Sequence, residues 1–383
     1  MILEFGAKNF FSFKEGFEVL FQKSHNSTDD ISNIIAIKGA NASGKTNVIK
    51  TLSFLDAFVK DSFSDLKPDE DIGNYSFFNN SKPIEMYIVF FEKNITYRYE
   101  LIFTNKKVIS EKVYRTKKRE TLIITRDENK VTTIEEYNEL EKIKINRKNA
   151  SIISIAKQYG ILEIDTIFDL FKIYTNVNEH GKIDNKDTFL DVNLVSKLYY
   201  ENKKLLNFVI DFLKKADIGI SNIIIHKQKN AETGNIEYFP KFYYKINKKD
   251  AFLTYYEQSS GTQSLYLQLH FYITALDNGW ILGLDEFDIN LHPDLLPMIL
   301  NMFENKKINV KNAQLILTTH NYDIMDRLGK YKIILVNKEE NESFLYRLDE
   351  IPGDMIRKNR PISPIYNANK IGGKPKIRYY YGE

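Results

Sequence analysis

The chain has 383 residues, 43% of them hydrophobic and 27% charged, with a formal net charge of +3 and no cysteine. That length buries a substantial core and suits two domains, or one domain carrying a large insertion. Without cysteine, disulfides, thiolate metal sites and cysteine nucleophiles are excluded, and so small a charge gives no argument for a nucleic-acid partner. No apolar run approaches the ~18 residues of a membrane span. Met1-Ile2-Leu3-Glu4-Phe5 lacks the charged and apolar regions of a signal peptide, so a cytoplasmic protein is expected.

In chain order, Ile2 to Phe5 and Phe17 to Phe21 alternate apolar and polar residues around Lys8-Asn9-Phe10-Phe11-Ser12-Phe13. This predicts a hairpin packed beside the next strand. Ile34-Ile35-Ala36-Ile37 reads as that strand, buried, and Asn47 to about Lys60 as a helix. Between them, Gly39-Ala40-Asn41-Ala42-Ser43-Gly44-Lys45-Thr46 fits G-x-x-x-x-G-K-[ST], a P-loop. Gly39 and Gly44 permit the tight turn that points backbone N–H groups at phosphate oxygens. The helix N-terminus adds partial positive charge. Lys45 would reach the β- and γ-phosphates of ATP, and the Thr46 hydroxyl would bind Mg²⁺.

Lys67 to Asn80 carries Pro, Gly and Asn and breaks regular structure. Strands return at Met86 to Phe91 and Thr96 to Phe103, around a Glu92-Lys93-Asn94 turn. Lys106 to Arg119 holds seven Lys/Arg against one Glu, a basic patch or a solvated surface. Residues 131–215 read mainly as helices, with Leu194, Leu198, Leu205, Phe208 and Phe212 on one apolar stripe. Strands follow at Asn222 to His226 and Glu237 to Ile246. We therefore read 1–104 and 246–383 as two halves of one ATPase head and 105–245 as a helix-rich insertion.

Ser259-Ser260-Gly261-Thr262-Gln263 opens a helix running to about Asp277. A Ser-Gly pair there is a ready anion site, and equally a plain N-cap. Trp280 to Leu284 is an apolar strand ending in Asp285-Glu286, the Walker B arrangement. Asp285 would hold Mg²⁺ beside the P-loop, and Glu286 would polarise an attacking water. Leu315-Ile316-Leu317-Thr318-Thr319-His320 is another buried strand, with a histidine at its tip. Asn337-Lys338-Glu339-Glu340 imitates the Asn-Lys-x-Asp guanine-reading motif, but its acid is Glu340 and its strand follows His320 in a cassette-type order, so a strand ending in a polar turn explains it better.

The order P-loop, Ser-Gly signature, Asp-Glu and Thr-Thr-His resembles the ATP-binding-cassette (ABC) ATPases. Glu257 to Leu265, Leu284 to Leu295, Ala313 to His320 and the tail from Arg360 to Ile377 are similar to stand-alone bacterial OLD-like ATPases, the Rlo- and Abi-type proteins of anti-phage loci, with an SMC-like head. The resemblance covers about 1–104 and 250–377. It implies an α/β P-loop fold of ABC type: a mixed sheet with flanking helices, an N-terminal antiparallel β subdomain and a mainly helical insertion.

It further implies an ATPase that works as a dimer of heads or a higher homo-oligomer. Gly39 to Asn47 would bind nucleotide, with Thr46 and Asp285 on Mg²⁺. Ser259 to Gln263 would complete the partner's site, Ser260 and Gly261 touching its γ-phosphate. Glu286 would be the catalytic base, His320 the γ-phosphate sensor, Lys45 a catalytic cation, and Asp288 to His292 the loop crossing the interface. The glutamine that normally follows the P-loop helix is replaced or absent, Tyr75 to Phe78 being its place. The expected role is a sensor or regulatory subunit acting on a separately encoded effector, such as a Toprim-type nuclease or a toxin. The alternative is an SMC-like DNA-processing ATPase that binds nucleic acid through Lys106 to Arg119 and Arg357 to Arg378. No membrane partner is expected.

Overall fold

The computed structural model describes residues 1–22, 31–178, 180–182, 191–216, 219–230, 234–289, 291–352, 355–356 and 360–374. The chain divides into two compact units. One is made of 1–181, 279–287 and 312–383, the other of 182–278 and 288–311.

In the first unit, continuous apolar runs form the buried strands of a six-stranded sheet. Its order is Glu342–Arg347, Ile333–Glu339, Ile34–Gly39, Gln314–Thr318, Ile281–Leu284, Ile173–Thr175. All neighbours are parallel except the first pair. Parallel strands are buried on both faces, which is why these segments lack alternation. The strand ending at His320 lies between the P-loop strand and the Asp285 strand.

The P-loop helix spans Lys45–Asp65, starting two residues earlier and running further than its apolar spacing suggested. Lys67 precedes Pro68, which disfavours helical backbone there. Val48, Leu52, Leu55 and Val59 are buried along the helix. Phe54 stacks on Phe103 at 4.9 Å, joining the helix to a second sheet.

That second sheet is antiparallel and seven-stranded: Phe17–Leu20, Ile2–Lys8, Ile84–Glu92, Ile95–Phe103, Val108–Thr116, Glu120–Asp127, Lys130–Thr133. The N-terminal hairpin pairs here, with Ile84–Glu92, and not beside the P-loop strand as expected. Its tie to the parallel sheet is a side chain: buried Gln314 accepts from the Ile2 N–H at 2.5 Å and donates to the Ile2 carbonyl at 2.9 Å.

The last three strands lie beyond residue 105 in the same sheet, and the first unit runs on to Gly181. Two cations of the basic run meet glutamates of the same unit. Lys107 pairs with Glu128 at 2.6 Å and Arg115 with Glu136 at 2.8 Å. Glu111 is fully buried 3.6 Å from buried Arg126, and accepts from Tyr99, Ser151 and the Ile152 N–H. Such a pair survives burial only because its remaining polar valences are filled.

The second unit has a three-stranded antiparallel sheet, Ile220–Lys229, Ile236–Ile246 and Lys249–Thr254, with helices Val192–Glu201, Lys203–Ala216, Ser260–Asn278 and Leu296–Glu304. The apolar stripe predicted from Leu194 to Phe212 is broken at Asn202, where one helix ends and the next begins. The first helix therefore buries Val195, Ser196 and Tyr199, leaving Leu194 and Leu198 54% and 37% exposed. Ser196 and Tyr199 hydrogen-bond to Tyr266 at 2.8 and 2.7 Å, which explains why this polar-looking face points inward. Among the described residues no helix is long and apolar enough to cross a membrane.

Candidate nucleotide site

The loop after Ile34–Gly39 turns through two left-handed residues, Ala42 at φ 60° and Gly44 at φ 111°. A Cβ on Gly39 would lie 2.4 Å from the Val336 carbonyl, and one on Gly44 2.7 Å from Ser343 Oγ. Both glycines are thus required by space, and Gly44 by conformation as well. Ser343 donates to the Ser43 carbonyl at 2.6 Å and hydrogen-bonds with the Ser12 hydroxyl at 2.7 Å, while Asn47 donates to Ser12 at 2.8 Å. The Lys8 to Phe13 loop thereby braces the P-loop from outside. Ser12 and Ser343 carry no motif signal that could have announced this.

Lys45 is 7% exposed and donates to the Gly39 and Ala40 carbonyls at 3.0 and 2.8 Å. Burial lowers its pKa, opposed by the charges of Asp285 and Glu286. Three residues far apart in sequence converge on Asp285. Thr46 Oγ1 donates to Oδ2 at 2.8 Å and Thr318 Oγ1 to Oδ1 at 2.6 Å. Asn176 brackets the same residue, donating to its carbonyl at 2.9 Å and accepting from its N–H at 2.7 Å. The Thr46–Asp285 contact joins the P-loop to the Walker B strand although those strands are not neighbours.

Glu286 sits at φ 52°, a left-handed conformation costly for a residue with a Cβ. Its N–H donates to Thr318 Oγ1 at 2.7 Å, and the Phe287 N–H to the Thr318 carbonyl at 3.1 Å. Thr318 thus holds both acids in place. It was legible only as part of the strand before His320, and Asn176 was not legible at all.

His320 is exposed at the end of its strand. The preceding Thr319 N–H donates to the Ile37 carbonyl at 3.2 Å. The His320 and Asn321 carbonyls accept from Lys38 Nζ at 2.7 and 3.2 Å. Lys38 itself is 2% exposed.

The residues fit a Mg²⁺–nucleotide. Thr46 and Asp285 present adjacent oxygen donors, the set that hard divalent cations take. Ser43 Oγ is buried with no hydrogen-bond partner, and the two glycines leave room for nothing beyond backbone.

Elsewhere in the first unit, Tyr75 packs its ring on Phe10, Phe11 and Phe54. Asn337 accepts from the Gly373 N–H at 2.7 Å, so the guanine-like motif is a tether for the C-terminal segment. The described part of that segment, 360–374, is held by Tyr366, which donates to the Gly373 carbonyl at 2.7 Å. The basic stretch Arg357 to Arg378 lies in part outside the described residues.

In the second unit, Ser259 precedes helix Ser260–Asn278. Ser259 Oγ accepts from the Thr262 N–H at 3.2 Å, its carbonyl from the Gln263 N–H at 2.9 Å, and Gln263 donates to the Gln258 carbonyl at 3.0 Å. Ser259 is therefore an N-cap, and Ser260 is exposed on the first turn. A cleft of about 410 Å³ opens between Ser259, Gly261, Thr262, His292 and Leu295 of this unit. Asn290, in the expected interface loop, lies outside the described residues.

Similar solved structures include an SMC head bound to the C-winged helix domain of ScpA (16% identity, 91% of this chain and 97% of that one, TM-score 0.48). Others are the SMC head domain from Thermotoga maritima (15%, 90% and 98%, TM-score 0.46) and the recombination mediator RecF with an ATP analogue (12%, 91% and 98%, TM-score 0.36). No curated protein matches the sequence. The fold is mixed α/β, a largely parallel sheet with flanking helices beside a second, antiparallel sheet. A family profile matches residues 34–326, a span that contains the P-loop, both acids and His320, and the chain belongs to that family, described as AAA domain, putative AbiEii toxin, Type IV TA system.

Proposed function

We propose that the chain hydrolyses ATP as a regulatory subunit, and that its nucleotide state controls a separately encoded effector, a nuclease or toxin, in anti-phage defence. The observation that carries the ATPase part is the convergence of Thr46 and Thr318 on the two oxygens of Asp285. In this reading Thr46 and Asp285 would hold Mg²⁺, which would supply positive charge to the phosphates. Gly39 to Asn47 supply backbone N–H groups and Lys45 a partly desolvated cation to the same phosphates. Lys45 now rests on the Gly39 and Ala40 carbonyls, contacts that phosphate oxygens would replace. Glu286 accepts the proton of the attacking water, and His320 contacts the transferred phosphoryl group.

Ser260 and Gly261 are offered to a second copy of the chain, so each site is completed only in a dimer of heads. A site completed by association couples ATP state to shape. The effector part is supported by the family description, which names a putative toxin and a toxin–antitoxin system, and by the OLD-like motifs. The DNA-processing alternative loses support where Lys107 and Arg115 are already paired with glutamates. The same reading has the protein act in the cytoplasm.

Glu286→Gln tests the assignment. It is isosteric but cannot take the proton, so ATP binding persists, turnover falls by at least about 100-fold, and the ATP-bound dimer accumulates. Hydrolysis assays beside size-exclusion chromatography in ATP report all three. Hydrolysis at the original rate would remove Glu286 from the mechanism.

A further inference from the structure

Lys38 is the residue before the P-loop, and its ammonium group is buried beneath the loop that carries His320. Nothing in the P-loop pattern calls for a cation at this position. Its Nζ donates to the His320 and Asn321 carbonyls at 2.7 and 3.2 Å. It also lies over two aromatic faces, 4.2 Å from the Tyr322 ring centroid and 5.3 Å from that of Tyr366. Both are within the range of a cation–π attraction, which strengthens when the cation is shielded from water. Tyr322 lies two residues after His320, whereas Tyr366 comes from the C-terminal segment. The Tyr366 ring is buried, lies 5.6 Å from Tyr322, and its hydroxyl is tied to the Gly373 carbonyl. Gly373 is in turn tied to Asn337.

We propose that Lys38 is a positioning residue that fixes the His320 loop relative to the P-loop, and that Tyr366 seats it, making segment 360–374 part of the γ-phosphate sensor. The reasoning is geometric. Residues 320–322 leave a strand end held by the Thr319 N–H on the Ile37 carbonyl, and the Asn321 N–H turns back on Thr319 Oγ1 at 2.9 Å. The two carbonyls that follow are aligned by a single donor covalently continuous with Gly39, so P-loop and sensor loop share one fixed point. A shift of about 1 Å at a group contacting the reacting phosphate is enough to cost orders of magnitude in rate. The tyrosine rings close the site over the ammonium and hold it against those carbonyls. Ordering or displacing the C-terminal segment would therefore change sensing of the γ-phosphate without touching the nucleotide pocket.

The inference rests on the ATPase reading above, and two separate readouts keep them apart. The full chain and its Lys38→Met, Tyr366→Leu and Tyr366→Phe variants are compared in steady-state hydrolysis and in equilibrium binding of fluorescent ATP and ADP analogues. Lys38→Met is expected to lower kcat about tenfold or more and to reduce the preference for ATP over ADP, with ADP affinity retained. Tyr366→Leu moves both in the same direction. Tyr366→Phe, which keeps the ring, loses much less. The double variant loses less than the product of the single effects, because the two side chains act through one contact. An unchanged kcat and unchanged ATP/ADP preference in Lys38→Met overturns the proposal. So does equal loss of ATP and ADP binding with a lowered melting temperature, which marks a purely structural lysine. If the parent chain does not hydrolyse ATP, the ATPase reading fails, and the affinity ratio alone still decides the role of Lys38.

Discussion

The P-loop end of the first unit and the signature end of the second both present a helix N-terminus, yet they are built in opposite ways. Around Lys45 the polar contacts reach residues distant in sequence: Thr46 to Asp285, Asp285 to Thr318 and Asn176, the Ser43 carbonyl to Ser343 and Asn47 to Ser12, with Ser43 Oγ alone left without a partner among them. At Ser260 the hydrogen bonds are local, made by Ser259, Thr262, Gln263 and Gln258 to one another. The first arrangement is pre-organised before any ligand arrives. The second satisfies its own helix and leaves Ser260 facing solvent. Under the proposed function, the first would be a rigid half that binds nucleotide and the second an open half that awaits a partner.

The contrast breaks if the rigid half is not rigid by design. Thr318→Val removes the hydroxyl that bonds both Asp285 Oδ1 and the Glu286 N–H while keeping the shape. It leaves a buried carboxylate oxygen and a strained N–H unpaired. Hydrolysis is expected to fall about 100- to 1,000-fold, the scale for losing one pre-organised active-site hydrogen bond. Rate measurements at saturating ATP read this directly. A variant within twofold of the parent would mean that Asp285 is held by other groups.

The open half is probed by Gly261→Asp. A carboxylate in the first turn favours the helix by the dipole, so folding is preserved, but it repels a γ-phosphate brought by a second copy. Nucleotide affinity of the isolated chain should stay unchanged while hydrolysis drops at least about tenfold. The parent's specific activity should rise with protein concentration, and the variant's should not. Parallel titrations of rate against concentration separate these outcomes, and a concentration-independent parent rate would break the division into two halves.

How much of this was readable in the sequence follows the same division. The P-loop, the two acids and the strand before His320 are contiguous motifs whose residue types are dictated by local backbone need or by one ligand. They were placed by number. Asn176, Ser12, Ser343 and Lys38 act through contacts across the sheet order, and side-chain type alone says nothing about which strand will be the neighbour. Helix periodicity misled at Leu194 and Leu198, because a break at Asn202 resets the register and Tyr266 offers hydrogen bonds that turn Ser196 and Tyr199 inward. Of the basic run after Lys106, Lys107 and Arg115 meet glutamates, whereas Lys117, Lys118 and Arg119 stand exposed in the turn between two strands, a split that residue type alone does not foretell.

The smallest expected effect concerns acid stability, where the two units should respond with opposite sign. In the second unit His270 is buried in helix Ser260–Asn278, its Nδ1 without a partner, and burial pushes its pKa down to about 4. The unfolded chain takes up that proton at a pKa near 6.5, so it binds more protons than the folded one in between. Stability from this residue is complete above about pH 6.5 and is lost as pH falls toward 4, by up to about 3 kcal/mol. In the first unit Asp56, on the P-loop helix, is held up to about 6 by burial, against the opposing charge of Lys60. Here the folded state binds the extra proton, so acidification from pH 6 toward 4 adds stability, by about 2–3 kcal/mol at most. Hydrogen exchange at pH 7 and pH 5 should therefore show amides of the Ser260–Asn278 helix losing protection relative to those of Lys45–Asp65, after correction for intrinsic rates. His270→Leu should abolish the acid sensitivity of the second unit alone, and Asp56→Asn the acid gain of the first. Equal shifts in both units would show that they unfold as one cooperative body, and that the division into a rigid and an open half is not one of stability.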